Sequence, residues 1–338
     1  MRSSSFPRRG LAAIGLAATA ALTLAACSSD GGSDADGGEG ESASFSVGIS
    51  QLVQHPALDA ATDGFKQAFA DAGYVEGETV EFDEQNAQGE QANAVTIAQN
   101  FASSDLDLVL AVATPAAQAA AQAILDTPVL FTAVTDAVSA ELVDSNEEPG
   151  SNITGTSDAA PMDEQFELLL QLVPDAKKVG IVYSSGEVNS EVQVAAAEEV
   201  AAGLDLEIVT QTVTTANDLA QATEALGEVD AIYVPTDNMV VAGLASLVQV
   251  AETNQIPVIA AEAGTVESGA IATIGIDYTE LGRQTGEMAL RILEDGADPA
   301  TMPVETASEF TYVVNPGAAE RMGVEIPADI LDQAETVE

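Results

Sequence analysis

From about residue 45 onward, short apolar runs rich in β-branched residues alternate with longer helix-patterned segments, and this alternation limits the possible folds more than any other feature. Such a rhythm argues for parallel sheets covered by helices on both faces. The spacing predicts strands over 45–50, 79–84, 108–113 and 129–132, with helices over 58–72, 90–103 and 115–125 between them. Pro115 suits a helix start, because its ring nitrogen has no hydrogen to leave unpaired. The rhythm then repeats, with strands over 179–183, 206–212, 231–234, 258–260 and 270–274 and helices over 191–202, 216–226, 242–253 and 279–294. Two doubly wound α/β lobes follow. The alternation breaks at Pro149, Gly150 and 152–157, again near 275–278, and a third time near 303–310. Three breaks predict three crossings, a hinge on which the lobes close without unfolding. The helix after the second crossing is expected to cover the first lobe, and 311–314 to return to the second. The expected division is 45–154 with 277–304 for the first lobe, and 155–276 with 305–338 for the second.

Ahead of the lobes, Arg2, Arg8 and Arg9 precede an uncharged Ala- and Leu-rich segment over 10–26, the organisation of a secretory signal peptide. At about 17 residues it is marginal for a bilayer span. It closes on Leu24, Ala25, Ala26 and Cys27, which resembles the bacterial lipobox. That resemblance implies a lipid on Cys27, removal of residues 1–26, and anchorage on the outer face of the cytoplasmic membrane. Residues 27–44 then form an acidic tether, because Ser, Gly, Asp, Glu and Ala bury too little surface to order themselves. Its reach is roughly 20 to 25 Å. The lipid is the expected membrane contact, and the body is expected to be a monomer.

Composition excludes several functions. The formal charge of −46 opposes nucleic-acid binding, since phosphate backbones are engaged by the Lys and Arg that are scarce here. Cys27 is the only cysteine, so no disulfide can form within the chain. His55 is the only histidine and lacks the soft partners of a zinc site. It also lacks a nucleophile to activate, which leaves ligand contact or loop structure as its roles. Neither a GxGxxG nor a Walker-type loop is present, and no cofactor or metal is expected.

In open parallel sheets, ligands bind beyond the carboxyl ends of the strands, where helix amino termini also point. The candidates are therefore Gln51 and His55 after the first strand and Asn86 and Gln88 after the second. Thr114 and Pro115 follow the third, and Val134, Thr135 and Asp136 the fourth. In the second lobe they are Ser185, Asn189, Ser190, Thr236, Asp237, Asn238 and Glu262, with Asp277 and Tyr278 at a crossing. Glu187 is expected to face solvent or organise its loop. Tyr183, Tyr233, Tyr278 and Phe131 stand in or beside strands, where each either packs in a core or stacks on a ligand.

The stretches VGISQLVQHPALDAATDGF, QNAQGE, AVATPAAQ, LFTAVTDAV, NITGTSD, IVYSSGEVNSEVQ, DAIYVPTDN and IDYTELGRQTGEMALRIL resemble a known family. It is that of ABC-transporter substrate-binding lipoproteins of the type I periplasmic-binding fold, associated with tryptophan and other aromatic amino acids. The family's common form has Pro after the Asp of the fourth-strand loop, where this chain has Ala137. The resemblance implies a receptor, not an enzyme, that closes on a small molecule and passes it to a membrane permease. For an amino acid, Thr114 and the turn at Pro115, with Thr135, would serve the carboxylate. Asp237, helped by Asn238 and Glu262, is the best single candidate for the ammonium, with a cap on the next helix as its lesser alternative. Asn189 and Ser190, and Asn86 or Gln88, would close over the ligand. A sensor on the same fold, or a receptor for a nucleoside or sugar, are the alternatives.

Overall fold

The computed structural model describes residues 44–307 and 309–337; the signal segment, Cys27 and nearly all of the tether lie outside the described residues. The first lobe is built from β1 (Phe45–Gln51), α1 (Pro56–Asp71), β2 (Val80–Asn86), α2 (Gln91–Ala102), β3 (Leu108–Val112), α3 (Thr114–Ala123), β4 (Val129–Val134) and β5 (Ile153–Ser157). The chain then enters the second lobe with α4 (Met162–Leu172), β6 (Lys178–Ser184), α5 (Val188–Gly203), β7 (Glu207–Val213), α6 (Leu219–Ala225) and β8 (Ala231–Val234). It continues there with α7 (Asn238–Ala242), α8 (Leu244–Asn254), β9 (Val258–Ala260), α9 (Ala263–Glu267) and β10 (Ala272–Gly275). A second passage leads to α10 (Tyr278–Leu293) and β11 (Glu305–Thr306), and a third to β12 (Thr311–Val314), α11 (Pro316–Met322), α12 (Ala328–Leu331) and β13 (Glu335–Thr336).

The first sheet has the order β11-β5-β4-β3-β1-β2 and is parallel throughout. The second has the order β13-β12-β10-β9-β8-β6-β7, and β12 runs antiparallel to β10. Every residue of β3, β4 and β5 is buried, as is every residue of β8, β9 and β10. Strands covered on both faces need no polar alternation, which is why β3, β4, β8 and β9 read as near-continuous apolar runs, whereas the equally buried β5 is Ile-Thr-Gly-Thr-Ser. The edge strands β2 and β7 instead carry exposed polar and charged residues, which discourages pairing with another chain. Each lobe has its own apolar core, one around Phe65, Leu110 and Phe131, the other around Phe166, Ile232 and Ile259.

The passages sit slightly later than the sequence division. Ile153–Ser157 is buried beside β4, and β11 pairs with β5, so 155–157 and 305–306 belong to the first sheet. The sequence division had given them to the second lobe. Other differences are local: α5 starts at Val188, and Gly243 separates α7 from α8 where one helix was expected.

After the second passage, α10 packs along α1 and joins the first lobe. The contact is backbone to backbone. A Cβ on Gly64 would collide with the Thr279 carbonyl, and one on Gly282 with the Ala61 carbonyl, so both positions need the absence of a side chain.

Candidate functional site

Where the two sheets' carboxyl ends face each other, a small, nearly filled cavity of about 10 Å³, room for about one water, lies between the lobes. The first lobe lines it with His55, Ala57, Leu58 and Ala133, and the second with Thr236, Asp237, Asn238, Val241 and Glu262. Asp158 and Tyr278, on the first two passages, complete the wall. The lobes touch around it: Thr135 and Thr236 share a hydroxyl hydrogen bond at 3.3 Å, and His55 Nε2 lies 3.4 Å from Asn238 Oδ1. At the rim, Gln91 Nε2 donates to the Gly186 carbonyl at 2.9 Å. These contacts describe a closed cleft.

On the second-lobe side the polar groups bond to one another. Asp237 is fully buried and caps α7, accepting from Val240 N at 2.8 Å. Its other oxygen accepts from Ser184 N at 2.6 Å and Ser190 Oγ at 2.7 Å. The cap is thus one of the two roles the sequence offered for Asp237. Glu187 accepts from the Asn238 and Met239 backbone and from the Asn238 and Asn189 side chains, so it organises this loop instead of facing solvent. Burial, together with the Asp237 charge, pushes the Glu187 carboxyl up to about 7. Glu262 caps α9, accepting from Gly264 N at 2.6 Å and from the Thr265 hydroxyl. Burial pushes its carboxyl up as well.

The first-lobe side is left open. The His55 side chain makes no capping bond to α1, and Pro56 has no N–H, so Ala57 and Leu58 present the uncapped amino end of a 16-residue helix at the cavity. The amino end of α3 is also without a side-chain cap, and the buried Thr114 Oγ1 beside it has no partner. His55 Nδ1 and Asp158 Oδ1 are buried and unpartnered too. Burial lowers the pKa of His55, which keeps the ring neutral. Tyr278 Oη donates to Asp158 Oδ2 at 2.8 Å.

Of the residues marked from sequence, His55, Thr236, Asp237, Asn238, Glu262 and Tyr278 line this cavity. Asn189 and Ser190 lie behind it, in the first turn of α5 and bonded to Thr236 and Asp237, instead of reaching over a ligand. Thr135 bridges the lobes, the Val134 carbonyl fixes the Asp158 backbone at 3.2 Å, and Thr114 and Pro115 are buried at the start of α3. Asp136 folds back on Val138 and Ser139. Ser185 is exposed in its loop. Gln51, Asn86 and Gln88 do not line the cavity; they line a separate open groove near the β2 edge, where Gln51 is bonded to Thr62, Asp59 and Val53. Asp158, Leu58 and Val241 were not singled out from sequence. For Asp158 the available signal was its place directly after TGTS, a strand end in its own right.

Two parallel α/β lobes, three passages between them and an enclosed cavity at the strand ends define the class: capture proteins of the type I periplasmic-binding fold. The chain belongs to the ABC transporter substrate-binding protein family, whose pattern matches residues 46–338. It is 43% identical over 296 residues to a tyrosine-binding protein of Clostridioides difficile (strain R20291), covering 86% of each chain. An ABC domain from Streptococcus pneumonia in complex with L-Trp is 35% identical with a TM-score of 0.84, over 88% of this chain and 100% of that one. A ligand-free, open structure of a substrate-binding protein with adhesive properties from Clostridium difficile is 43% identical, yet its TM-score is 0.67, over 87% and 99%. The more identical relative, in its open form, superposes less well, as expected for a chain whose lobes are closed. The two-lobe fold and the assignment to ABC-importer substrate-binding proteins read from sequence both stand. Among the described residues, no helix is long and apolar enough to cross a membrane, and no His, Cys, Asp and Glu group could hold a metal ion.

Proposed function

We propose that this protein captures a zwitterionic amino acid, with an aromatic side chain favoured, and presents it to an ABC permease. The observation that carries this reading is a charge imbalance. Asp158, Asp237 and Glu262 line a closed cavity that no Lys or Arg enters. Every basic residue described, Lys66, Lys177, Lys178, Arg283, Arg291 and Arg321, is paired with a carboxylate elsewhere. Carboxylates buried without a counter-charge are costly, and a guest carrying an ammonium relieves that cost. The uncapped start of α1 offers donors for the guest's carboxylate. Ala57, Leu58, Ala133, Val241 and the Tyr278 ring supply an apolar slot. The tyrosine and tryptophan named for two relatives agree with such a guest.

Calorimetric titration against the amino acids tests this. L-tyrosine or L-tryptophan should bind at micromolar concentration or below, about −8 kcal/mol or stronger. Silence toward every amino acid, or tighter binding of a nucleoside or sugar, overturns it.

The remaining part of the proposal is the address. Cys27, behind the apolar segment 10–26, carries the lipid, and the acidic segment to residue 44 tethers a monomeric body near the permease on the outer face of the cytoplasmic membrane. Cys27→Ala should abolish palmitate labelling and release the protein from membranes, and a labelled, membrane-bound variant would remove the anchor from the account. Size-exclusion chromatography of the body checks the monomer.

A further inference from the structure

Asp158 follows directly on the strand by which the chain leaves the first lobe, and Tyr278 opens the helix on which it returns. They are only 4% and 6% exposed. Among the carboxylates lining the cavity Asp158 stands apart. Asp237 has donors on both oxygens, and so does Glu262. Asp158 lines the cavity too; one oxygen is held by Tyr278 Oη, while Oδ1 is buried and has no partner within hydrogen-bond distance. We propose that Asp158 Oδ1 is the acceptor for the ligand ammonium, so that the charge-reading subsite is built on the passages between the lobes and not on the loop of Asp237. This rests on the amino-acid reading above.

A second unpartnered acceptor supports the assignment. Asn238 Nδ2 donates to Glu187 at 2.6 Å, which turns Asn238 Oδ1 toward His55 Nε2. The hydrogen of the neutral ring therefore sits on Nε2, and Nδ1 is left as a buried, bare acceptor on the same cavity. An ammonium has three donors to place, and these two atoms are free to receive them. Tyr278 from α10, Asp237 ahead of α7, Glu262 ahead of α9 and His55 ahead of α1 are the titratable groups that face this space, and none supplies a cation. Burial pushes the Asp158 carboxyl up in the free protein. An arriving ammonium draws it down, so any proton that Asp158 holds in the free protein leaves on binding.

The test titrates the wild-type protein and its Asp158→Asn variant with L-tyrosine and L-tryptophan, and with the same molecules lacking the amino group. Each titration is run in two buffers of different ionisation enthalpy. Asp158→Asn should weaken the amino acids by about a hundredfold, erase the preference over the desamino analogues and abolish any proton release. Retention of affinity within about threefold of wild type, with the preference intact, overturns the assignment while leaving the amino-acid reading in place. Wild-type silence toward all amino acids overturns both. If Asp158→Asn does not fold, a liganded crystal structure of the wild type decides. An ammonium within hydrogen-bond reach of Asp158 Oδ1 supports the subsite, and one held by Asp237 or Glu262 instead removes it.

Discussion

The two faces of the cleft are made from the same kind of element, a strand end followed by a helix, yet they are chemically unlike. On the second-lobe face the short helices α7 and α9 are capped by Asp237 and Glu262, and Glu187 braces the first of them. On the first-lobe face α1 and α3 begin without a side-chain cap, and His55 Nδ1 and Thr114 Oγ1 lack partners. The carboxylates of one face are largely satisfied within it, and the helix starts of the other are not. The face with the uncapped helix starts is where a guest gains most, because each bond it makes replaces none. The other face contributes shape and closure.

The contrast can be broken at several points. The largest effect is expected for Asp237→Ala, which strands Ser184 N, Ser190 Oγ and Val240 N in a buried site. Thermal unfolding should show a loss on the order of 3 kcal/mol. A change within experimental error would mean that the second-lobe network is not what holds this face together.

Converting the first face into the second is the next test. His55→Asp places a carboxylate at the N-cap of α1, which should stabilise the helix by about 1 kcal/mol. It also occupies donors intended for the guest, so calorimetry should show at least about tenfold weaker amino-acid binding. Undiminished affinity would show that the uncapped end of α1 has no part in binding.

A smaller effect concerns pH. A carboxyl raised in the folded state contributes stability in full below the ordinary carboxylate range, and loses it as pH rises through the folded value. For Glu187 that window runs up to about 7. The melting temperature of the ligand-free protein should therefore fall between pH 5 and pH 8, and Glu187→Gln should flatten the fall even if it lowers the melting temperature overall. An unchanged slope would locate the titration elsewhere. The smallest effect is expected at the rim, where Gln91→Ala removes an exposed bond to the Gly186 carbonyl. Affinity should change by less than about threefold; a larger loss would make the rim, and not the cavity, the seat of closure.

Much of the fold was legible because buried parallel strands and their covering helices impose different periodicities. The LVLAV of β3 could hardly be anything else. The return of α10 to the first lobe was readable from the break at 275–278, whereas the membership of β5 was not. Its residues interrupt the rhythm without showing which neighbour they pair with, and pairing is settled only by burial against β4. The site was legible in part for a related reason. The sequence reading took strand ends as the place for polar contacts, but not every strand end reaches the cleft. β2 is an edge strand, so Asn86 and Gln88 beyond it open onto a surface groove. Asp158 escaped notice because a segment read as a connection was not searched as a strand end.

The close approach of α10 to α1 has a mechanical consequence. Gly64 and Gly282 let the two helices lie against each other with no side chain between, so Tyr278 moves with the first lobe. Asp158, at the end of β5, moves with it as well. Opening the cleft thus pivots beyond this pair and leaves its hydrogen bond unbroken. The open receptor keeps a preassembled landing place on a single rigid body, and the other lobe follows the guest in as a cover.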